Sequence, residues 1–193
     1  MGENRKIGIL LENRFNDQEI IYYANRFLEE GYEVSFLTRL WGQPKVTVKG
    51  LELGMPWVVD QSFENISDYD LKNYVAMIVP SGYVADMLRY TERPGDLSPA
   101  VQFIKRIMEK KAMIKGFIGH GLQIFDPIPD SIRGRHVTCH NNIVGSLKNA
   151  GGVFVDEDIV IDEDVITARA GTNFARFARS IIDALNAKNK RSK

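Results

Sequence analysis

Glu19, His120 and His140 each fall just past an apolar run, and these are the side chains best suited to moving a proton or holding a polar ligand. Glycines accompany them. Ser81-Gly82 follows Pro80, where a glycine permits a tight turn and an N–H can face an anion. Gly119-His120-Gly121 follows the apolar run 113–118 and has the form of a nucleophile elbow, a sharp turn out of a strand that exposes one reactive residue. Glu19 belongs to the first turn of a helix, where the macrodipole favours a carboxylate by a few tenths to about 1 kcal/mol. It is either a helix-start carboxylate or one aimed into a pocket, and the local pattern leaves both open.

Glu19, His120 and His140 also make up a two-His-one-carboxylate set. They come from separate segments with no metal-ligand spacing among them, so neither a metal nor another cofactor is expected. The single cysteine, Cys139, excludes an internal disulfide and a cysteine-rich zinc site.

The elements that must position these residues alternate in type. Residues 6–11 read as a strand, and 17–30 as a helix with Ile20, Ile21, Ala24, Phe27 and Leu28 at helical spacing, Asp17 as N-cap and Gly31 as stop. Strands follow at 33–38, 75–80 and 113–118. Ser98 as N-cap with Pro99 at the first helical position opens another helix. A strand over 136–139, a helix over 142–150 and short strands at 153–155, 159–161 and 165–168 precede a last helix capped by Thr172. The segment 42–60 breaks the rhythm and reads as a small β excursion. This alternation predicts one α/β domain over 1–187, with a mostly parallel sheet and helices on both faces, and a basic disordered tail over 188–193. In such a sheet ligands collect beyond the carboxyl ends of the strands, which leaves residues 12–19, 81–83, 119–121 and 138–141 as the candidate segments.

The 193 residues carry 25 Lys plus Arg against 25 Asp plus Glu. A zero balance gives no general pull toward nucleic acid or anionic membrane, and no apolar run reaches the roughly 18–20 residues of a membrane span. The N-terminus does not read as a secretory signal, so a cytoplasmic protein is expected.

Several short stretches, taken in order, resemble the ThiJ/PfpI superfamily of intracellular proteases or amidases and glyoxalase or deglycase enzymes, whose fold is the flavodoxin-like, class I glutamine amidotransferase-like three-layer sandwich. They are Phe15-Asn16-Asp17-Gln18-Glu19, Pro80-Ser81-Gly82, Gly134-Arg135-His136-Val137-Thr138-Cys139-His140, Asn149-Ala150-Gly151-Gly152 and Ile166-Thr167-Ala168-Arg169. The departure lies at the elbow, where the family has Ala-Ile-Cys-His-Gly and this chain has Phe117-Ile118-Gly119-His120-Gly121. The resemblance therefore places Gly119 at the catalytic cysteine position and implies a pseudoenzyme. In this reading Gly82, Gly119 and His140 bind the ligand, while Glu19 and His120 are the remaining catalytic-type groups. The N–H groups of Gly82 and His120 would keep an oxyanion hole for a small carbonyl or carboxylate compound. A homodimer is also implied. The alternative is a hydrolase or lyase with Glu19 or His120 as general base and no covalent intermediate. Side chains alternate along a strand, so only one of Cys139 and His140 faces the pocket. The resemblance assigns that place to His140 and leaves Cys139 toward the packed side, as a buried inert thiol. Phe117 and Lys115 stand where the family has a small and an apolar residue, and Lys115 must run its stem along apolar surface to reach water or a carboxylate.

Overall fold

The computed structural model describes residues 5–191. In chain order the elements are β1 (Lys6–Leu10), α1 (Asp17–Glu29), β2 (Glu33–Thr38), β3 (Val46–Lys49), β4 (Pro56–Val59), β5 (Gln61–Ser62), β6 (Tyr74–Val79), α2 (Val84–Leu88), α3 (Pro99–Met108), β7 (Ile114–Ile118), β8 (His136–Val137), α4 (Val144–Asn149), β9 (Val153–Phe154), β10 (Ile159–Asp162), β11 (Val165–Ala168) and α5 (Phe174–Arg191). Seven strands form the main sheet in the order β10-β11-β7-β6-β1-β2-β5. Every pair is parallel except β10 with β11. Helices cover both faces, α1 and α5 packing together across one of them. β7 is buried at all five positions, as a central parallel strand covered on both faces must be, although Lys115 and Gly116 interrupt its apolar character. From β1 the chain moves first to β2 on one side and later to β6 on the other, so a topological switch lies at β1 and β6.

Ser98 caps α3 as expected, accepting from the Val101 N–H at 3.2 Å, with Pro99 at the first position. Three boundaries differ from the sequence reading. The cap of α1 is Asn16, whose side chain accepts from the Glu19 N–H at 3.0 Å. The buried face of this helix is Asp17, Glu19, Ile20, Tyr23 and Phe27, while Ile21 and Leu28 are 41% and 65% exposed. Helical spacing alone admits two overlapping stripes, and the one that carries Glu19 inward is chosen. The expected strand over 136–139 stops at Val137, because the Thr138 N–H donates to the Thr167 hydroxyl (2.9 Å) instead of extending a ladder. Asn173, not Thr172, satisfies the backbone before α5, its side chain accepting from the Ala170 N–H at 3.1 Å.

The disordered tail expected over 188–193 is corrected as well. α5 continues to Arg191, and the Lys188 amine donates to the Ala112 carbonyl at 3.0 Å. Residues 192–193 lie outside the described residues.

The excursion at 42–60 is an antiparallel hairpin of β3 and β4. Its loop is tied to the start of α1 through the buried Asp17 carboxylate, which accepts N–H bonds from Glu52 (2.9 Å), Leu53 (3.1 Å) and Met55 (2.9 Å). Burial opposes the ionisation of Asp17, but these bonds outweigh it and hold the carboxyl below its ordinary range. Asp17→Ala is expected to cost about 1–3 kcal/mol by leaving three donors unmatched, measured by urea denaturation at pH 7.

Lys115, in the middle of β7, is fully buried. Its ammonium reaches the Asp164 carboxylate at 2.5 Å and the Lys110 carbonyl at 2.7 Å, and Arg135 holds the same carboxylate at 2.8 Å. The buried cation is therefore held by one carboxylate and one carbonyl, and the carboxylate comes from the β10–β11 turn.

Candidate functional site

At the carboxyl end of β7 the chain turns sharply at Gly119, with φ of +58°, and continues as a 3-10 segment over Gly119–Phe125. This left-handed backbone favours glycine. A Cβ added at position 119 would lie 3.3 Å from the Ser81 Cβ. Ser81 stands at the end of the neighbouring strand β6, so its side chain takes up the space beside Gly119. The turn 81–83 is held in place by the next glycine. Gly82 has φ of +83° and bridges to Phe15, and a Cβ there would meet the Arg14 carbonyl oxygen at 2.3 Å. The Tyr83 N–H donates to that same carbonyl at 3.0 Å. No other residue fits at position 82 without moving this loop.

Glu19 is brought here by the first turn of α1. Its carboxyl is completely buried and accepts both the Ser81 N–H, at 3.2 Å to each oxygen, and the Ser81 hydroxyl. Burial raises its pKa to about 7, and the bonds from Ser81 offset only part of the desolvation. Tyr23, one turn further along α1, adds a buried hydroxyl beside this carboxyl. Glu19 therefore lies buried against Ser81 and not at the solvent-facing start of the helix. Its partner Ser81 stands in one of the candidate segments, but nothing in Pro80-Ser81-Gly82 signals the bond to Glu19.

The two histidines form a second layer. The His140 N–H reaches back to the Gly119 carbonyl at 3.5 Å, which draws the segment after β8 against the turn. The His120 and His140 rings stack with centroids 4.5 Å apart. Tyr83 continues the stack, nearly parallel to His120 at 6.3 Å, and the Arg14 guanidinium carbon lies 4.1 Å from the Tyr83 ring centroid. His140 Nδ1 accepts from the Asn142 N–H at 3.2 Å, so neutral His140 carries its proton on Nε2. Desolvation, and then the neighbouring His140, push the His120 pKa below its ordinary value. Gly119 and Glu19 thus share Ser81 as a neighbour, and the histidines share the Gly119 turn. Glu19 hydrogen-bonds to Ser81 and not to either imidazole. Among the described residues no group of three or more His, Cys, Asp or Glu is arranged to hold a metal.

Cys139 points the other way. It is completely buried, and desolvation pushes its thiol up to about 11. Iodoacetamide at pH 7.5 is expected to label Cys139 at least about 100-fold more slowly in the folded protein than in urea, followed by mass spectrometry. Phe117 is buried edge-to-face against Phe125 with centroids 4.7 Å apart, so the bulk at this strand position is absorbed by packing.

A flavodoxin-like α/β sandwich with its site on a glycine turn at the strand ends defines a broad class of ligand-binding and catalytic domains. The chain belongs to the DJ-1/PfpI family, whose sequence model matches residues 5–184. It is 29% identical to Protein/nucleic acid deglycase 2 of Escherichia coli (strain K12), over 95% of this chain and 99% of that protein. It is also 29% identical to YraA of Bacillus subtilis (strain 168), a provisionally named cysteine protease, over 94% of this chain and 99% of that protein. Among solved structures, a two-domain protein of Anabaena variabilis with DJ-1/ThiJ/PfpI-like and ferritin-like domains superposes with a TM-score of 0.81 at 25% identity. That match covers 94% of this chain and 48% of the other, so this chain spans about half of the two-domain protein. Schizosaccharomyces pombe DJ-1 shares the fold with a TM-score of 0.76 at 19% identity, over 96% of this chain and 97% of that one.

Proposed function

We propose that this DJ-1/PfpI chain works without a nucleophilic cysteine and binds a small carbonyl or carboxylate compound, or a partner, at the strand-end site. The observation that carries this reading is residue 119. In the motif resemblance it takes the place of the reactive cysteine, and glycine offers no group that forms a thiohemiacetal or an acyl-enzyme. The space beside it is held by Ser81, whose hydroxyl occupies Glu19. Cys139, buried and with a raised pKa, is no substitute. The ligand would lie against Gly82, Gly119 and His140, with the N–H groups of Gly82 and His120 facing its oxygen. A cytoplasmic homodimer completes the reading, and the zero formal charge favours no nucleic-acid or anionic membrane partner. Among the described residues no helix is long and apolar enough to cross a membrane.

A second reading makes Glu19 or His120 a general base for a hydrolase or lyase. It is favoured by the Glu19 pKa of about 7, in the range where a carboxylate takes protons efficiently at neutral pH. One experiment separates the two. Small aldehydes, ketones and carboxylates are screened by thermal shift against wild type and His140→Ala, and methylglyoxal and amide turnover are assayed with wild type, Glu19→Gln and His120→Ala. The binding reading expects a rise of about 5–10 °C at a hundredfold excess over Kd that grows with the logarithm of ligand concentration, weakened in His140→Ala, with no turnover. Turnover in wild type that disappears in Glu19→Gln and His120→Ala would sink it and establish the second reading.

A further inference from the structure

The turn after β2 carries a half-exposed aromatic residue in a backbone conformation that opposes it. The Gln43 N–H donates to the Leu40 carbonyl at 2.9 Å and closes a turn whose central residues, Trp41 (φ 53°) and Gly42 (φ 75°), are both left-handed. Glycine adopts that conformation freely, whereas tryptophan does so against steric repulsion. The indole gains little burial in return, being 51% exposed. Tyr90, 59% exposed, stands beside it with ring centroids 6.0 Å apart.

Both rings line a cleft of about 890 Å³, a size suited to a small organic ligand. Met87 and Leu97 add apolar surface, and none of Glu19, Gly119, His120 and His140 belongs to the lining. The charges in the lining are three carboxylates, Glu12, Asp86 and Asp96, against one guanidinium, Arg89. Arg89 is held by Asp86 at 2.8 Å and by Asp126 at 2.6 Å. The nearby Arg39, stacked 3.8 Å from the Trp41 ring centroid, is held by Glu92 at 3.0 Å and Glu64 at 3.4 Å. Among the described residues the Asp96 carboxylate has no ion pair or hydrogen bond. The cleft therefore offers aromatic faces together with uncompensated negative charge.

We infer that this cleft binds an organic cation, an ammonium bearing alkyl groups, with Trp41 and Tyr90 against its alkyl surface and Asp96 and Glu12 as counter-charges. A cation over an aromatic face is drawn by the ring quadrupole, most strongly where water is displaced. An anion is repelled by the same carboxylates, and an uncharged apolar ligand gains nothing from them. The cleft and this inference stand apart from the strand-end site and from the function proposed for it.

The test uses the full chain and choline as the probe, compared with its uncharged isostere in which carbon replaces the quaternary nitrogen. Binding is read by saturation-transfer NMR on the methyl protons, with a thermal melt of each variant to show that it is folded. Choline is expected to bind saturably and at least ~10-fold more tightly than the isostere. Trp41→Ala is expected to abolish binding, and Asp96→Asn to weaken it by about 3–10-fold, with added salt acting in the same direction. Trp57→Phe, on β4 and packed against Phe36, is expected to change nothing. Absence of saturable choline binding, equal binding of the isostere, or unchanged binding in folded Trp41→Ala would each overturn the inference.

Discussion

Gly119→Cys alone is expected to destabilise the protein by about 1–3 kcal/mol, and the same cysteine combined with Ser81→Gly to recover much of that loss and to present a reactive thiol. Two penalties add in the single variant. Position 119 is left-handed at φ +58°, which costs an ordinary side chain about 1–2 kcal/mol relative to glycine. The new Cβ also meets the Ser81 Cβ at 3.3 Å, so the turn at the end of β6 must yield by a few tenths of an ångström. Ser81→Gly removes the second penalty and vacates the hydroxyl position on Glu19, where a thiol from residue 119 can take its place.

Because the two side chains share one volume and one hydrogen-bond partner, their effects should be non-additive, and a double-mutant cycle measures the coupling directly. In a chain of this size the single variant should melt about 2–10 °C lower. Iodoacetamide labelling of the double variant at pH 7.5 should exceed that of wild type by at least about 100-fold, since the only natural thiol is buried at Cys139 with a pKa of about 11. Gain of methylglyoxal turnover in the double variant would agree with a site that lacks only its nucleophile. A single variant as stable as wild type, or a double variant no better than the single, would show that Ser81 does not fill the place of a side chain at 119.

The same pair marks how far the sequence could be read. The strands carrying the site were legible because buried parallel strands are continuously apolar, and β7 is apolar except for Lys115 and Gly116. Ser98-Pro99 announced its helix through local chemistry alone. Glu19, Gly82, Gly119 and His140 could be placed because each follows a strand end, where the fold itself concentrates function. The hydrogen bond from Ser81 to Glu19 spans 62 positions in the chain, and nothing local in Pro80-Ser81-Gly82 signals it. Tyr23 escaped for a related reason. A tyrosine competes poorly with Ile21 and Leu28 for the apolar face on spacing, and only the inward turn of Glu19 fixes which face of α1 is buried. The two-residue β8 was overestimated because Thr167, a side chain from another strand, captures the backbone that would have continued the ladder.

Glu19 should make the protein lose stability as the pH rises, opposite to the usual behaviour of a paired carboxylate. Its folded-state pKa of about 7 lies above the ordinary value of 4.5, so between these values the folded chain binds more protons than the unfolded one. Stability contributed by the neutral carboxyl is fully present below about pH 4.5, declines through the interval and is gone above about pH 7. For this fully buried group the separation corresponds to roughly 3 kcal/mol. Glu19→Gln keeps the shape and one acceptor for Ser81 but does not titrate. Any loss from weaker hydrogen bonding to Ser81 shifts its stability by a constant, so the informative quantity is the change with pH. The stability of Glu19→Gln relative to wild type should rise by roughly 3 kcal/mol between pH 4.5 and pH 8, measured by urea denaturation at both values. A difference that stays flat would mean that Glu19 ionises at an ordinary pKa inside the fold. The general-base reading would then rest on His120, and the Ser81 hydroxyl would be bonded to a permanent carboxylate across the neutral range.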